Sequence, residues 1–361
     1  MSVIDTLKKH LEQIGSSLSV HRIDLVSRLI QGLLVCRSAN LMKVATAMPG
    51  PAKKMSRYRR LQRFFSSGLS PHLFSQWIVQ RLLLSDRLSL LTVTMDRTHW
   101  MFGQTHENIL CLGLLFAGIS IPLESMALGK AGNTNTQERC DLFLRAWMYL
   151  KDYSCCLLAD REFIGAEWFR FLLEQTGLDF IIRIRENCWV TLPNGQQRDL
   201  GILVRYMPKG RTWTYENVLL YDQERTVRIN LVCHRSREGE YVLLVTNRTD
   251  LKEALKLYSK RWSIETAFSY LKSKGFDLEA THLSHPQRIP LLISILAVCL
   301  LWCVLVGLEK QREKPIAIKK HGRKTISLVR LGLDTLQETI LNFPEKWKPF
   351  RHYCRLLLSC T

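Results

Sequence analysis

The segment LYSKRWSIETAFSYLKSKG, residues 257–275, is the part of this chain on which the fold assignment depends. Apolar residues recur between its polar positions and no proline interrupts it, so the pattern predicts an α-helix. At about 100° per residue, the side chains of Tyr258, Arg261, Glu265 and Lys272 fall within roughly 60° of one another. A carboxylate between two cations and a phenol on one helix face indicates a site for a metal ion and a phosphate.

Two aspartates each follow a short apolar run and precede an arginine. Asp96 ends the run LSLLTVTMD, and Asp160 ends CCLLAD. The runs predict buried strands, and an acidic side chain at the carboxyl end of such a strand points into the crevice where open α/β sheets bind ligands. An aspartate in this place can also simply cap a turn. Together with Glu265, the two aspartates supply three carboxylates, and carboxylate oxygens are the ligands that Mg²⁺ prefers.

The positive charge is concentrated at the two ends of the chain, whose formal net charge is +19. Residues 1–85 carry 13 Lys and Arg against 3 Asp and Glu, and residues 309–361 carry 12 against 5. Residues 86–308 carry 26 against 24 and are nearly neutral. This distribution favours a catalytic unit with polyanion-binding flanks, although basic ends can also merely aid solubility.

A basic stretch follows the break at Pro49-Gly50-Pro51. Its cations alternate with aromatic residues, a composition that suits contacts between a helical module and DNA phosphates. A solvated basic helix face is the alternative. The candidate DNA contacts in this stretch are Arg57, Arg59, Arg60 and Arg63.

The order of predicted elements after residue 86 is β-β-β-α-β-α-β, which is typical of a mixed α/β sheet with an antiparallel start. Between residues 187 and 249 the pattern changes to short strands separated by polar turns, which predicts a β-rich insertion. We therefore expect a helical DNA-binding domain over 1–85, a catalytic core over 86–186 and 250–310, the insertion over 187–249, and a basic tail over 311–361.

The apolar run from Ile289 to Leu308 is long enough to cross a bilayer. It begins with Ile-Pro, contains a serine and directly follows the predicted catalytic helix, so a buried core helix is the favoured interpretation, and we expect no membrane partner. Eleven cysteines without metal-ligand spacing, and an N-terminus without a signal-peptide stretch, indicate a reducing, cytoplasmic compartment.

The spacing Tyr258-x2-Arg261-x3-Glu265-x6-Lys272 resembles the YREK signature of bacterial insertion-sequence transposases with a ribonuclease H-like DDE core. The segments MDRTHW and ADREF are similar to the aspartate segments of that family, and AGNTNTQER and KKHGRKTISLVRLGLD are similar to further stretches of it. The resemblance covers most of residues 55–335. It implies an α/β fold: a ribonuclease H-like mixed sheet with flanking helices, interrupted by the insertion and preceded by the helical N-terminal domain.

The same resemblance implies a cut-and-paste transposase. Asp96, Asp160 and Glu265 would be its catalytic residues and would hold two Mg²⁺ ions, for which Mn²⁺ would substitute. The implied contacts to DNA phosphates are Tyr258, Arg261 and Lys272. The implied partners are terminal inverted repeats and target DNA, bound by a homodimer at the nucleoid in the bacterial cytoplasm. The alternatives are a nuclease of the same fold that cuts without joining, and a DNA-binding relative that has lost activity, against which three intact carboxylates argue.

Two aromatic residues are further candidate DNA contacts. Trp262 adjoins the polar helix face, where core packing is the favoured interpretation of a tryptophan. Tyr241 opens the strand YVLLV and is our candidate for the aromatic that holds a flipped base in relatives that excise through a DNA hairpin. Those relatives have a tryptophan there and a different spacing, so an ordinary strand tyrosine is the favoured interpretation.

Overall fold

The computed structural model describes residues 2–12, 18–83, 90–102, 105–222, 225–283, 285–320 and 322–358, so the predicted boundary at residue 85 lies outside the described residues. Its helices are α1 (Val3–Leu11), α2 (Val20–Cys36), α3 (Leu41–Ala47), α4 (Lys54–Phe65), α5 (His72–Leu83), α6 (Thr136–Leu150), α7 (Ala166–Arg170), α8 (Leu200–Val204), α9 (Leu251–Ser259), α10 (Ser263–Ser269), α11 (Ile289–Glu313), α12 (Leu328–Leu341) and α13 (Trp347–Leu358). Its strands are β1 (Leu91–Phe102), β2 (Thr105–Phe116), β3 (Ile119–Ala127), β4 (Cys155–Ala159), β5 (Asp179–Arg183), β6 (Trp189–Thr191), β7 (Gln197–Asp199), β8 (Thr212–Asp222), β9 (Arg225–Arg235) and β10 (Tyr241–Thr246).

The described strands form one mixed sheet in the order β3-β2-β1-β4-β5-β10-β9-β8-β6-β7. The first three are an antiparallel meander, whereas β4 pairs parallel with both β1 and β5. Every residue of β4 is buried, which explains why this strand is a continuous apolar run in the sequence. The core order 3-2-1-4-5 with these directions is a mixed sheet flanked by helices, and the predicted α/β fold class is confirmed.

The strands of the insertion extend the core sheet. β10 pairs antiparallel with β5 on one side and with β9 on the other, and β8, β6 and β7 continue the sheet outward. The β-rich character predicted for residues 187–249 is therefore present, and these strands are hydrogen-bonded to the core without a break.

Helices from both ends of the chain pack around α11. The helices α2, α5, α12 and α13 each contact α11, α1 contacts α13, and α11 itself packs against β3. Buried residues from both ends belong to the same hydrophobic cluster as the sheet. The predicted parts 1–85 and 311–361 therefore share a core, and whether either folds independently stays a prediction.

The apolar run predicted to be a core helix lies in α11. By length and composition this helix could span a membrane, but 89% of its most apolar window is buried inside the protein. Its contacts with four other helices and with β3 account for that burial. The interpretation as a core helix is confirmed.

The segment 257–275 is helical but is not a regular α-helix. A 3₁₀ turn, Lys260–Trp262, separates α9 from α10, and a π-helical turn, Tyr270–Lys274, follows α10. These turns depart from the 3.6 residues per turn that the predicted face assumed. As a result Tyr258 is buried in the core, whereas the Glu265 side chain is 41% exposed.

Candidate active site

Asp96 and Asp160 follow matched positions on two adjacent parallel strands. The strands β1 and β4 pair through Met95 and Ala159, the residues immediately before the two aspartates. Because neighbouring strands lie about 4.8 Å apart, the two acidic residues start from nearby points of the backbone. Asp160 directly follows the end of β4 as predicted, but Asp96 does not end its strand, since β1 continues to Phe102 as an arm paired with β2.

Arg261 joins two of the three predicted carboxylates. Its Nη1 lies 3.3 Å from Oδ2 of Asp96, and its Nη2 donates to Oε1 of Glu265 at 2.7 Å. The side chains of Arg261 and Asp96 are only 8% and 14% exposed. The structure therefore brings Asp96 and Glu265 together on one buried guanidinium group.

The three carboxylates share one electrostatic environment. Burial raises the pKa of Asp96 to about 7, and the charges of Asp160 and Glu265 act in the same direction. Arg261 lowers this pKa, as does the backbone N–H of Arg97, which donates to Oδ1 of Asp96 at 2.7 Å. A buried carboxylate with two others nearby needs a counter-charge, and Arg261 supplies it for Asp96.

The three carboxylates are suitable ligands for a metal ion, but their side chains are not placed to coordinate one. Among the described residues, no group of three or more His, Cys, Asp or Glu side chains is placed to hold a metal ion. Asp96, Asp160 and Glu265 offer hard oxygen ligands, and a divalent cation would offset their mutual repulsion. For Asp96 and Glu265 to bind one ion, the Arg261 guanidinium between them would have to move.

A cavity of about 580 Å³ opens beside Asp160. Its lining includes Tyr258, Arg261, Trp262 and Tyr241, four of the predicted DNA contacts. Burial raises the pKa of the Tyr258 phenol, and the adjacent Arg261 cation acts in the opposite direction. The structure thus gathers these four side chains in one cavity with Asp160, which Glu186 and Glu240 also line.

The two aromatic candidates differ in how firmly they are held. Trp262 is 59% exposed, with the Arg261 guanidinium 5.0 Å from its ring centroid, so the expected core position is wrong. Tyr241 is partly buried, Arg235 lies 5.2 Å from its ring centroid, and its hydroxyl donates to the carbonyl oxygen of Arg205 at 3.4 Å. These contacts explain a structural tyrosine, and the flipped-base role stays a prediction.

Lys272 is attached to the strand that carries Asp96. Its ammonium group donates to the carbonyl oxygen of His99 at 2.7 Å, three residues beyond Asp96 on β1. Burial lowers the pKa of Lys272. The fourth residue of the signature therefore lies along β1, outside the described lining of the Asp160 cavity.

Two arginines of α4 form contacts within the protein. Arg57 donates to the carbonyl oxygens of Met48 and Gly50, which fastens α4 to the turn before it. Arg60 lies 3.2 Å from Oδ2 of Asp24 and so ties α4 to α2. Their predicted DNA contacts remain untested, and both guanidinium groups have structural partners.

Arg59 and Arg63 are the α4 arginines that we expect to bind DNA, since both are exposed and lie one turn apart. Replacing both with alanine should reduce the slope of log affinity against log salt by about 1.8 for duplex DNA, because two phosphate contacts are lost. Fluorescence anisotropy with a labelled duplex over a salt series measures this slope. Arg57→Ala should lower the unfolding temperature instead, because its guanidinium group holds the turn before α4. A wild-type slope in the Arg59 and Arg63 double variant would contradict their DNA role.

A network of residues to which the sequence assigned no role in the site lies behind the two aspartates. Glu162 accepts from Nε of Arg97 at 3.0 Å and from the backbone N–H of Thr134 at 3.1 Å. Arg139 donates to the carbonyl oxygen of Glu162 at 3.0 Å and to Oγ1 of Thr134 at 2.9 Å. Because Arg97 and Glu162 belong to the two aspartate segments, the network ties both segments to the start of α6.

The fragment AGNTNTQER, residues 131–139, was the available signal for this network. Asn135 accepts from the backbone N–H of Glu138 at 2.8 Å, and the Glu138 carboxylate accepts from the backbone N–H of Asn135 at 2.8 Å. This capping box fixes the first turn of α6. Thr134 and Arg139 flank the box, so the cap also positions the two residues that hold Glu162.

Glu162→Gln should lower the free energy of unfolding by about 1–3 kcal/mol, because it leaves buried hydrogen-bond donors of the network poorly matched. The Glu162 side chain is 13% exposed, so water would not replace the lost charge readily. Urea unfolding measures the change. Glu253→Gln on α9, where the Glu253 side chain is 48% exposed, is the control, and its free energy of unfolding should stay within about 0.5 kcal/mol of wild type. If the two variants are equally stable, Glu162 does not stabilise the network.

Comparison with known proteins relates this chain to a family of transposases. A family model described as a transposase DDE domain matches residues 116–302, a range that contains Asp160 and Glu265 and begins after Asp96. The cryo-EM structure of a piggyBac transposase synaptic complex with hairpin DNA is similar over 99% of this chain and 83% of that chain, with 11% identity and a TM-score of 0.46. No curated protein matches the chain. At this similarity the fold assignment rests on the sheet topology described above.

Proposed function

Because the chain belongs to the transposase DDE domain family, we propose that it cleaves DNA at transposon ends and joins the cut ends to target DNA. The observation that carries this proposal is the convergence of carboxylates from separate elements. Asp96 and Asp160 leave register-matched parallel strands, and Glu265 reaches Asp96 through Arg261. Carboxylates gathered in this way suit metal-dependent phosphoryl transfer.

Asp96, Asp160 and Glu265 would hold two Mg²⁺ ions, for which Mn²⁺ would substitute. When bound, such ions activate a water or a 3′-hydroxyl and stabilise the leaving oxygen. The raised pKa of Asp96 supports this assignment, since a site that disfavours its own negative charges is stabilised by a cation.

The other signature residues would position the DNA. Arg261 can fork a phosphate once it leaves its carboxylates, Lys272 adds a point charge, and Tyr258 donates one hydrogen bond. The burial of Tyr258 and Arg261 keeps both groups in defined orientations at the cavity beside Asp160. Trp262 and Tyr241 line the same cavity, where an aromatic ring would stack on an unpaired base.

We further propose that the protein acts as a homodimer on terminal inverted repeats and target DNA, because two transposon ends must be brought together for joint excision. Its working place would be the bacterial cytoplasm, in association with the nucleoid. Sedimentation of the protein with and without a DNA duplex that carries one transposon end tests the dimer; a complex with one protein chain at saturation would contradict it.

A strand-transfer assay separates the transposase from a nuclease of the same fold. Pre-cut transposon ends and a supercoiled plasmid are incubated with the protein and MgCl₂. We expect plasmid molecules covalently joined to the ends. Hydrolysis products without joined plasmid would favour the nuclease. If neither kind of product forms, the proposal that the protein is an enzyme is wrong.

Arg261→Gln should destabilise the protein in EDTA at a pH above the pKa of Asp96, because the buried Asp96 must then either stay ionised without its charged partner or take up a proton. Breaking a buried ion pair in this way costs about 3–5 kcal/mol. Differential scanning fluorimetry measures the unfolding temperature, and added MgCl₂ should recover part of the loss if the carboxylates hold the metal. Arg330→Gln, in an ion pair that is 48% exposed on the arginine side, is the control; no recovery with MgCl₂ would contradict the metal role.

A further inference from the structure

A groove runs from the candidate active site along α10 to a basic hairpin. It consists of two cavities, of about 580 and 290 Å³, which share Ala117, Gly118 and Thr266 in their linings. Trp262 lines the larger of the two and also the cavity that contains Asp160. We call the two connected cavities the α10 groove; it adjoins the active-site cavity at Trp262.

The α10 groove combines an apolar floor with cations at both ends. Leu115 and Phe116 contribute to the floor, Lys260 lies beside Trp262, and Lys324 lies at the far end. None of the described lining residues is acidic. The groove therefore matches a ligand that has apolar faces and negative charges, which is the chemistry of a nucleic-acid strand.

The far end of the groove continues into the basic hairpin, whose described residues are 314–320 and 322–325. Ile318 and Lys324 form a β-bridge, Lys319 donates its backbone N–H to the carbonyl oxygen of Arg323 at 2.8 Å, and Gly322 adopts the left-handed φ of 81° that the turn requires. The segment contains no Asp or Glu. Its exposed cations are Lys314, Lys319, Lys320, Arg323 and Lys324. The described part of the hairpin thus presents five exposed positive charges and no negative charge of its own.

We propose that the α10 groove and the basic hairpin bind an unpaired DNA strand beside the active site. A cationic track next to an exposed aromatic ring is typical of single-strand binding, because bases stack on the ring while the backbone follows the cations. A duplex would present phosphates and sugars to the apolar floor and would leave that floor unmatched. This proposal rests on the proposed function and deepens it, since it places a strand near the cut phosphate.

Binding of a labelled dT20 oligonucleotide and of a 20-base-pair duplex, both in EDTA, tests the proposal. Replacing Lys319, Lys320 and Arg323 together with alanine should weaken dT20 binding at least about tenfold at low salt and reduce its log–log salt slope by about 2. Trp262→Ala should weaken dT20 binding about tenfold through lost stacking and change duplex binding less.

The matched control removes three exposed lysines elsewhere, Lys252, Lys256 and Lys348, which lowers the net charge by the same amount. If the two triple variants weaken dT20 binding equally, the proposed role of the α10 groove is wrong. It is also wrong if the hairpin variant loses only duplex binding. Cleavage is measured separately. A protein that binds dT20 through the hairpin but never cuts DNA would refute the proposed function alone, and one that cuts DNA while the hairpin variant binds dT20 normally would refute the groove alone.

Discussion

Glu265→Gln is expected to abolish DNA cleavage while the protein stays folded and still binds DNA. The substitution keeps the size and the hydrogen-bonding oxygen of the side chain but removes the negative charge that would hold a metal ion. Removing one ligand of a phosphoryl-transfer site should reduce the rate at least about 1,000-fold, which corresponds to about 4 kcal/mol in the activation barrier. Single-turnover cleavage of a labelled transposon end measures the rate.

Binding and stability separate this loss from unfolding. The Glu265 side chain is 41% exposed and its recorded partner is Arg261, which retains Asp96, so the unfolding temperature should change little. Anisotropy in EDTA should show end binding within a few-fold of wild type. Glu253→Gln, the same substitution on α9, should cleave normally; cleavage by the Glu265 variant at the same rate would exclude Glu265 from the chemistry.

The sequence predicted the sheet well because its core strands are continuous apolar runs. The strand β4 is buried along its whole length, so its boundaries and the position of Asp160 after it could be predicted from hydrophobicity alone. Asp96 was identified by the same pattern, but the end of its strand was not, because Asp96 and Arg97 interrupt the apolar run while β1 continues beyond them as an arm that pairs with β2 alone. The apolar run breaks at this charged pair, although Thr98 and Trp100 beyond it are buried again.

The helical face was predicted less well, for a geometrical reason. A wheel at about 100° per residue assumes uninterrupted α-helix, whereas a 3₁₀ turn lies at Arg261 and a π-helical turn at Lys272. The wheel therefore missed that Arg261 turns inward to bridge Asp96 and Glu265 and that Trp262 turns outward. Long-range contacts of this kind depend on tertiary packing, which local periodicity does not contain.

The same limit applies to the arginines of α4. Composition alone does not separate Arg57, which caps a turn, from Arg59 and Arg63, which are exposed. Which arginine is used internally depends on where carbonyl groups are left unpaired by neighbouring helices. A basic run therefore predicts that some of its cations contact DNA, and the fold decides which ones.

Gly332→Ala is expected to be among the most destabilising single substitutions in the chain. Gly332 on α12 and Gly307 on α11 lie where the two helices cross, and Gly332 allows their backbones to touch. A Cβ atom on Gly332 would overlap the carbonyl oxygen of Cys303, and one on Gly307 would overlap that of Leu328. Because the overlapping atoms belong to backbone, no rotamer change relieves them, and the helices must move apart.

Separating α11 from α12 would disturb the centre of the molecule, since α11 also contacts α2, α5, α13 and β3. We therefore expect Gly332→Ala to lower the free energy of unfolding by more than about 3 kcal/mol, at the upper end of the effect of overpacking. Urea unfolding followed by tryptophan fluorescence measures the loss. Gly307→Ala should lower the free energy of unfolding less in the Gly332→Ala background than it does in the wild-type protein, because the first alanine already forces the helices apart.

Gly201→Ala on α8 is the matched control for this close approach. The nearest atom to an added Cβ there is Oδ1 of Asp199 at 3.1 Å, a side-chain oxygen that caps α8 by accepting from the backbone N–H of Ile202 and that can shift at the cost of this one hydrogen bond. The change in unfolding free energy should be within about 1 kcal/mol, because the higher helix propensity of alanine offsets the disturbance of the cap. If Gly332→Ala behaved like Gly201→Ala, the helices would not cross in backbone contact. The basic hairpin would then lose the packed α11–α12 base that holds it beside the α10 groove.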